Sequence, residues 1–122
     1  MSNEQPKSND ILSDKSFSFS LRIIKLFKYM KNDHKEYILS KQVLRSGTAI
    51  GALIREAKYA QSKADFLNKL MIALKEANET KYWLELLYQS NYIDSKMYHS
   101  IEPDINTILK LLVASTKTVK EG

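Results

Sequence analysis

Cationic side chains recur at helical spacing in the middle of the sequence, and they are the residues best suited to binding chemistry. One face of this segment carries three cations and an aromatic ring, at Lys41, Arg45, Thr48, Ala52, Arg55 and Tyr59. Lys58 and Lys63 lie nearby along the axis. Guanidinium and ammonium groups neutralise backbone phosphates, and a tyrosine ring can stack on a base. The pattern therefore predicts a nucleic-acid contact formed by Lys41, Arg45, Arg55, Lys58 and Lys63.

Two of these cations have a competing structural interpretation. Arg45 and Arg55 flank a segment of small residues where a neighbouring helix must lie close. Arginine forms two-pronged hydrogen bonds with carboxylates, and Glu76 and Glu79 occupy the next helical segment. We therefore favour pairing of both arginines with Glu76 and Glu79 as helix contacts, and plain solvation of the lysines.

Carboxylates and histidines are present, but their spacing does not suit a reaction. Glu56, Glu76 and Glu79 suggest a carboxylate-bridged metal centre, which in helical bundles uses a Glu-x-x-His pair on each of two helices. His34 and His99 are the two histidines of the chain, and neither completes that pattern. There is no cysteine, no evident serine, histidine and carboxylate arrangement, and no glycine-rich phosphate loop. The sequence predicts no enzymatic activity, no metal and no cofactor.

The element that positions the cations is a helix with one continuous apolar seam. Its residues alternate steps of four and three, at Leu39, Val43, Ser46, Ile50, Leu53, Ala57, Ala60 and Ala64. The middle of the seam holds Ser46, Gly47, Ile50 and Gly51, although glycine costs about 1 kcal/mol in a helix interior. Side chains this small allow another helix to come close. Replacing Gly47 or Gly51 with leucine is therefore expected to destabilise the protein strongly.

Periodicity and capping residues predict four helices in all. The first is expected from Ser13, Asp14 or Ser16 to about Lys31, with two apolar stripes, and so wide an apolar arc suggests that a second subunit covers part of it. The second ends near Ser62, the third runs from about Lys63 to Gln89, and the fourth begins at Asp94 or Ser95. Pro103 should kink or restart the fourth helix after Ile101. Short connections favour an antiparallel up-down bundle of residues 13–119, between a loose tail of residues 1–12 and a frayed end of residues 120–122.

Composition limits the class of protein. The 122 residues suit one domain, and 43% hydrophobic with 27% charged residues is ordinary for a globular chain. The net charge of +5 can favour phosphate-rich partners. No apolar run reaches the ~20 residues of a membrane span, and the N-terminus lacks a signal-peptide pattern. We expect a cytoplasmic protein with no membrane contact.

Aromatic residues concentrate in the second half of the chain. They are Tyr82, Trp83, Tyr88, Tyr92 and Tyr98. A stacking platform for nucleic acid is conceivable, but aromatic rings at helical spacing more often fill a core or a subunit interface. We favour the core or interface interpretation.

Two separated blocks resemble the four-helix-bundle proteins encoded in intervening sequences of bacterial 23S ribosomal RNA genes. The first block is residues 44–57, LRSGTAIGALIREA, and the second comprises residues 62–66 and 75–87. The resemblance implies a homopentamer, a barrel of four-helix bundles, and a fold shared with the accessory variability determinant of diversity-generating retroelements, which binds a reverse transcriptase and nucleic acid. It therefore implies RNA or a nucleic-acid-processing protein as a partner. A protein-interaction module without nucleic-acid affinity is the alternative.

Overall fold

The computed structural model describes the backbone of residues 8–122 and the side chains of residues 11–122. Four helices follow one another, α1 (Ser8–His34), α2 (Ile38–Ala57), α3 (Lys63–Gln89) and α4 (Ser95–Glu121). No strand occurs in this part of the chain. The predicted all-α class is confirmed, and the four helices pack as a helical bundle.

Both outer helices are longer than the sequence predicted. α1 begins at Ser8 because Leu12 is fully buried and draws the first turns onto the core. α4 continues to Glu121, and Thr116 is buried in it. The prediction of a loose tail was therefore wrong for residues 8–12, which are helical. The prediction of a frayed end was wrong for Lys120 and Glu121, which belong to α4. The helical unit is thus longer than the predicted residues 13–119. The tail prediction for residues 1–7 lies outside the described residues.

Side-chain caps fix where α3 and α4 begin. The Ser62 hydroxyl accepts a hydrogen bond from the Asp65 backbone N–H at 3.0 Å, and the Asp94 carboxylate accepts from Met97 N–H at 2.9 Å. Both caps agree with the predicted positions. α2 ends at Ala57, earlier than predicted, so the seam residues Ala60 and Ala64 lie outside it.

Glu36 supplies the cap for α2 from the connection that precedes it. Its carboxylate accepts hydrogen bonds from the backbone N–H groups of Ile38, Leu39 and Ser40 at 3.1, 3.0 and 2.8 Å. Burial acts to raise the pKa of Glu36, but these backbone hydrogen bonds outweigh it, and the pKa lies below its ordinary value. The ionised carboxylate therefore stabilises the start of α2.

Pro103 lies inside α4 without interrupting it. The helix is continuous from Ser95 to Glu121, so the predicted restart after Ile101 was wrong. Pro103 itself is exposed, while Ile101 and Ile105 on either side are buried. The apolar face that these isoleucines contribute to the core holds the helix together across the missing N–H.

The core is formed at four interfaces between neighbouring helices. α2 packs against α1 and α3, and α4 packs against α3 and α1. One apolar stripe of α1 is buried there, at Phe19, Ile23, Leu26 and Met30. The second stripe faces outward, since Phe17, Leu21 and Ile24 are 54%, 52% and 36% exposed.

The small residues of α2 lie at helix contacts, as predicted. Gly47 and Ile50 are buried, and a Cβ added at Gly47 would lie 2.9 Å from Cγ1 of Ile23 in α1. The Ser46 hydroxyl is buried 2.8 Å from Oγ1 of Thr80 in α3. This middle part of α2 therefore contacts two helices at once.

None of the helices in the described part of the chain is both long enough and apolar enough to cross a membrane.

Candidate nucleic-acid interface

Arg45 is a structural contact between α2 and α3. Its Nη1 donates to Oε1 of Glu76 at 3.2 Å, and its Nη2 donates to Oε1 of Glu79. The Trp83 indole N–H also reaches Glu79, at 3.5 Å. Two carboxylates thus surround the guanidinium, as the pairing interpretation predicted, and they would compete with a phosphate for it.

Arg55 points elsewhere. Its guanidinium carbon lies 6.0 Å from the ring centroid of Phe17 in α1, whereas Arg45 has the carboxylates of α3. Ten residues separate the two arginines, and ten steps of about 100° turn the second away from the first by roughly 80°. The prediction that Arg55 pairs with Glu76 and Glu79 was wrong, because the two arginines lie at opposite edges of the predicted face, Arg45 toward α3 and Arg55 toward α1.

The three predicted lysines are exposed but dispersed. Lys41 lies in the first turn of α2, Lys58 follows its last residue, and Lys63 is the first residue of α3. Seventeen residues separate Lys41 from Lys58, which at 1.5 Å per residue is about 25 Å. These lysines add to the surface charge but do not converge on one site.

A groove of about 1240 Å³ lies between α1 and α2, with the start of α3 at one end. Phe17 and Ile24 line one side, and Tyr59, which is 81% exposed, lines the other. The groove carries both signs of charge, at Asp14, Arg55, Glu56, Lys58, Asp65 and Lys69. Lys69 Nζ lies 3.5 Å from Oε1 of Glu56, so part of this charge is already neutralised. Mixed charge beside apolar side chains suits a protein surface better than a phosphate chain.

A smaller groove of about 550 Å³ lies between α1 and α4, and its charge is predominantly positive. Lys25 of α1 and Lys96 of α4 are exposed at its edge. Its floor is apolar, formed by Leu26, Ile93 and Ile101, all buried.

Arg22 joins the two walls of this smaller groove. Nη1 donates to the Ser100 carbonyl at 2.8 Å and to Oδ2 of Asp104 at 2.6 Å, and Nη2 donates to the Ser100 hydroxyl at 2.6 Å. Asp104 therefore neutralises Arg22, whereas no carboxylate within residues 11–122 forms an ion pair with Lys25 or Lys96.

Tyr29 closes the end of the groove nearest the α1–α2 connection. It is half-buried, and its hydroxyl lies 3.1 Å from Nε2 of His34. The His34 ring meets Tyr29 and Tyr92 edge to face, with ring centroids 5.1 and 5.6 Å away. These contacts hold the tyrosine ring in place beside the two lysines.

Comparison with known families and structures places this fold. A family model described as 23S rRNA-intervening sequence protein matches residues 9–114. The chain belongs to the 23S rRNA-intervening sequence protein family. Its sequence is also 55% identical to that of a protein of known crystal structure, a protein with unknown function from the S23 ribosomal protein family from Bacteroides thetaiotaomicron VPI-5482. That match has a TM-score of 0.89 and covers 91% of this chain and 99% of the other. No curated protein matches the chain.

Sequence reasoning missed the α1–α4 groove of this 23S rRNA-intervening sequence family member. Arg22 and Lys25 are one turn apart on α1, which was a detectable signal. Lys96 and Ser100 are more than 70 residues away, and only the packing of α4 beside α1 brings them to the same groove.

The aromatic residues of this family member divide between core and surface. Tyr98 is buried and stacks on Tyr88 with ring centroids 4.4 Å apart. Burial and its hydrogen bond to Glu102 raise the pKa of Tyr98 to about 12, so the phenol stays protonated. Trp83 is half-buried, whereas Tyr82 is 54% exposed and lies outside the core, so a place in a subunit interface stays a prediction for it.

No group of three or more His, Cys, Asp or Glu side chains that could hold a metal ion occurs in the described residues of this family member. Its two histidines contact other groups of the protein instead. His34 meets the two tyrosines, and Nδ1 of His99 lies 2.8 Å from the Ser95 carbonyl.

Proposed function

We propose that the chain is a non-catalytic, cytoplasmic, oligomeric four-helix bundle that binds or scaffolds RNA or an RNA-associated partner. Membership of a family described by 23S rRNA intervening sequences supports the choice of nucleic acid. The proposal rests chiefly on one structural observation, which is that many acidic side chains contact other groups of the protein while most lysines are exposed on its surface.

Most of the partners of the acidic side chains are cations of a neighbouring helix or backbone N–H groups. Glu76 and Glu79 bind Arg45, Glu56 contacts Lys69, and Asp104 binds Arg22. Further carboxylates accept hydrogen bonds at helix starts or from a tyrosine, at Glu36, Asp94 and Glu102. Together with the net charge of +5, the exposed lysines favour an anionic polymer as a partner.

The order of contacts supports the antiparallel up-down arrangement that is part of this proposal. Arg45 meets Glu79, while Glu56, further along α2, meets Lys69, which precedes Glu79 in α3. As residue numbers rise in α2 they fall in α3, which supports opposite helix directions. The short connections between successive helices agree with this arrangement.

The oligomer is a homopentamer in this proposal, assembled through the outward stripe of α1. Phe17, Leu21 and Ile24 form an exposed apolar row of the kind that marks interaction surfaces. Sedimentation equilibrium should give five times the chain mass of 14.1 kDa. Leu21→Glu should dissociate the oligomer, whereas Ile38→Glu, at an exposed isoleucine outside the row, should not. A monomeric wild-type mass would reject the assembly.

RNA binding is tested by the fluorescence anisotropy of labelled single-stranded RNA across a salt series. Affinity should fall steeply as salt rises, because binding releases counterions. Reversing the charge of Lys41, Lys58 and Lys63 to Glu should weaken binding without altering the circular dichroism spectrum. Absence of binding at low salt would reject the RNA proposal.

The second candidate is a protein-interaction module without nucleic-acid affinity. The α1–α2 groove favours it, since Phe17 and Tyr59 lie beside charges of both signs. Failure of RNA binding together with an intact oligomer would support this second candidate.

A further inference from the structure

We infer that the groove between α1 and α4 is the site where the protein holds single-stranded RNA, with Lys25 and Lys96 on the phosphates and Tyr29 against a base. This inference rests on the proposed RNA-binding function and adds the location and the form of the nucleic acid. The lysines predicted from the sequence lie outside this groove.

The charge of the groove suits a phosphate chain. Lys25 and Lys96 lie on its opposite walls, one on each helix, and are exposed. Within residues 11–122 no ion pair occupies either ammonium group, and the Asp104 carboxylate is paired with Arg22. Two cations on facing walls can therefore neutralise backbone phosphates without breaking an ion pair of the described residues.

The floor and the end of the groove suit a base. Buried Leu26, Ile93 and Ile101 form an apolar surface, and Tyr29 adds an aromatic ring fixed by His34. Proteins that bind single strands combine a cationic groove with aromatic rings on which bases stack. Arg22 already donates hydrogen bonds to Asp104 and Ser100, so we assign it to joining α1 and α4 rather than to binding the RNA.

The size of the groove selects a single strand over a duplex. Its volume of about 550 Å³ lies in the range of roughly 300–1,000 Å³ for sites that enclose small ligands. A base with its phosphate is of that scale, whereas a double helix hides its base faces and presents only its backbone and groove edges.

Two double variants with equal charge change test the location. Labelled oligouridine is titrated against the full chain carrying Lys25→Glu with Lys96→Glu, or Lys41→Glu with Lys63→Glu. We expect the first pair to weaken binding roughly tenfold more than the second. It should also reduce the slope of log affinity against log salt by about 1.4, the value for two phosphates on a single strand. Should Lys25→Glu with Lys96→Glu unfold the protein, Lys25→Gln with Lys96→Gln gives the same comparison.

Substitutions at Tyr29 test the base contact. Tyr29→Leu should weaken binding roughly tenfold, because it removes the stacking ring, while Tyr29→Phe should bind like the wild type. The Phe variant also lacks the hydroxyl contact to His34, so it separates stacking from that contact.

The outcomes separate the groove from the function. Binding by the wild type with equal losses from the two lysine pairs would overturn the groove and leave RNA binding standing. Wild-type affinity in Tyr29→Leu would overturn the base contact. Uridine monophosphate binding as tightly as oligouridine would overturn the assignment to a strand. No binding by the wild type at low salt would overturn the proposed function and the groove together.

Discussion

α1 meets its two neighbours in different ways. Toward α2 the contact is close packing, with Gly47 against Ile23. Toward α4 the contact is more open, and Arg22 spans it with hydrogen bonds to Ser100 and Asp104. Of the neighbouring helix pairs, α1 and α4 also touch least.

The difference shows where a helical bundle can place binding chemistry. Where small residues bring α1 and α2 together, polar groups are pushed to the rim, and the groove there mixes charge with exposed apolar side chains. Where α1 and α4 stand further apart, room remains for a cationic groove with an apolar floor. The looser side of α1 thus carries the candidate RNA site, and the tighter side carries much of the stability.

Gly47→Leu should give the largest effect, because it places a large side chain where α1 and α2 pack closely. Even a Cβ at this position would lie 2.9 Å from Ile23, and a leucine must displace α1. We expect a loss of about 3 kcal/mol in the free energy of unfolding and a fall of roughly 10 °C in Tm, measured by thermal and urea melts. A melting temperature within a degree or two of the wild type would contradict the close approach.

Arg22→Leu should cost less, because the contact on the open side is partly solvated. The Arg22 and Asp104 side chains are 38% and 44% exposed, so their ion pair is screened. We expect a loss of about 1 kcal/mol in unfolding free energy. A double-mutant cycle with Asp104→Ala, run at low and high salt, isolates the pair, and a coupling energy of zero at low salt would show that the Asp104 contact contributes nothing to joining the two helices.

How much of this contrast was predictable depends on whether a feature is local or tertiary. The close approach at Gly47 follows from small residues on one seam, and the caps at Ser62 and Asp94 follow from neighbours along the chain. Arg45 was assigned correctly because its partners one helix away lie opposite a predicted contact.

Features set by packing between distant helices were not predictable. The start of α1 at Ser8 depends on burial of Leu12 in a core that the sequence does not show. The continuity of α4 through Pro103 depends on the burial of Ile101 and Ile105. The α1–α4 groove needs Lys25 and Lys96, whose proximity exists only after folding.

Glu36→Gln should lower the free energy of unfolding at neutral pH by an amount similar to or smaller than that of Arg22→Leu. Glu36 lies on the side of α1 that packs closely against α2. The Glu36 carboxylate caps α2 just after the α1–α2 connection, and a cap of this kind contributes about 1 kcal/mol. Its pKa is lowered in the folded protein, so its contribution is present above the ordinary carboxyl value of 4.5 and is lost as pH falls through the folded pKa. Urea melts should therefore show wild type and variant differing at pH 7 and converging in acid. An equal difference at both pH values would mean that the charge is not responsible.

Gly51→Ala should give the smallest effect and the opposite sign. A Cβ there would lie 3.4 Å from Oγ of Ser20 and 3.5 Å from the carbonyl oxygen of Ser16, which are ordinary contact distances. Alanine is favoured over glycine in a helix interior by about 1 kcal/mol, so the variant should be slightly more stable in urea melts. Gly47→Ala is the matched control, since its Cβ meets Ile23 at 2.9 Å and should offset the same gain. If Gly51→Ala were the more damaging of the two, the tightest approach of α1 to α2 would lie one turn further along, against the Ser16 backbone rather than the Ile23 side chain.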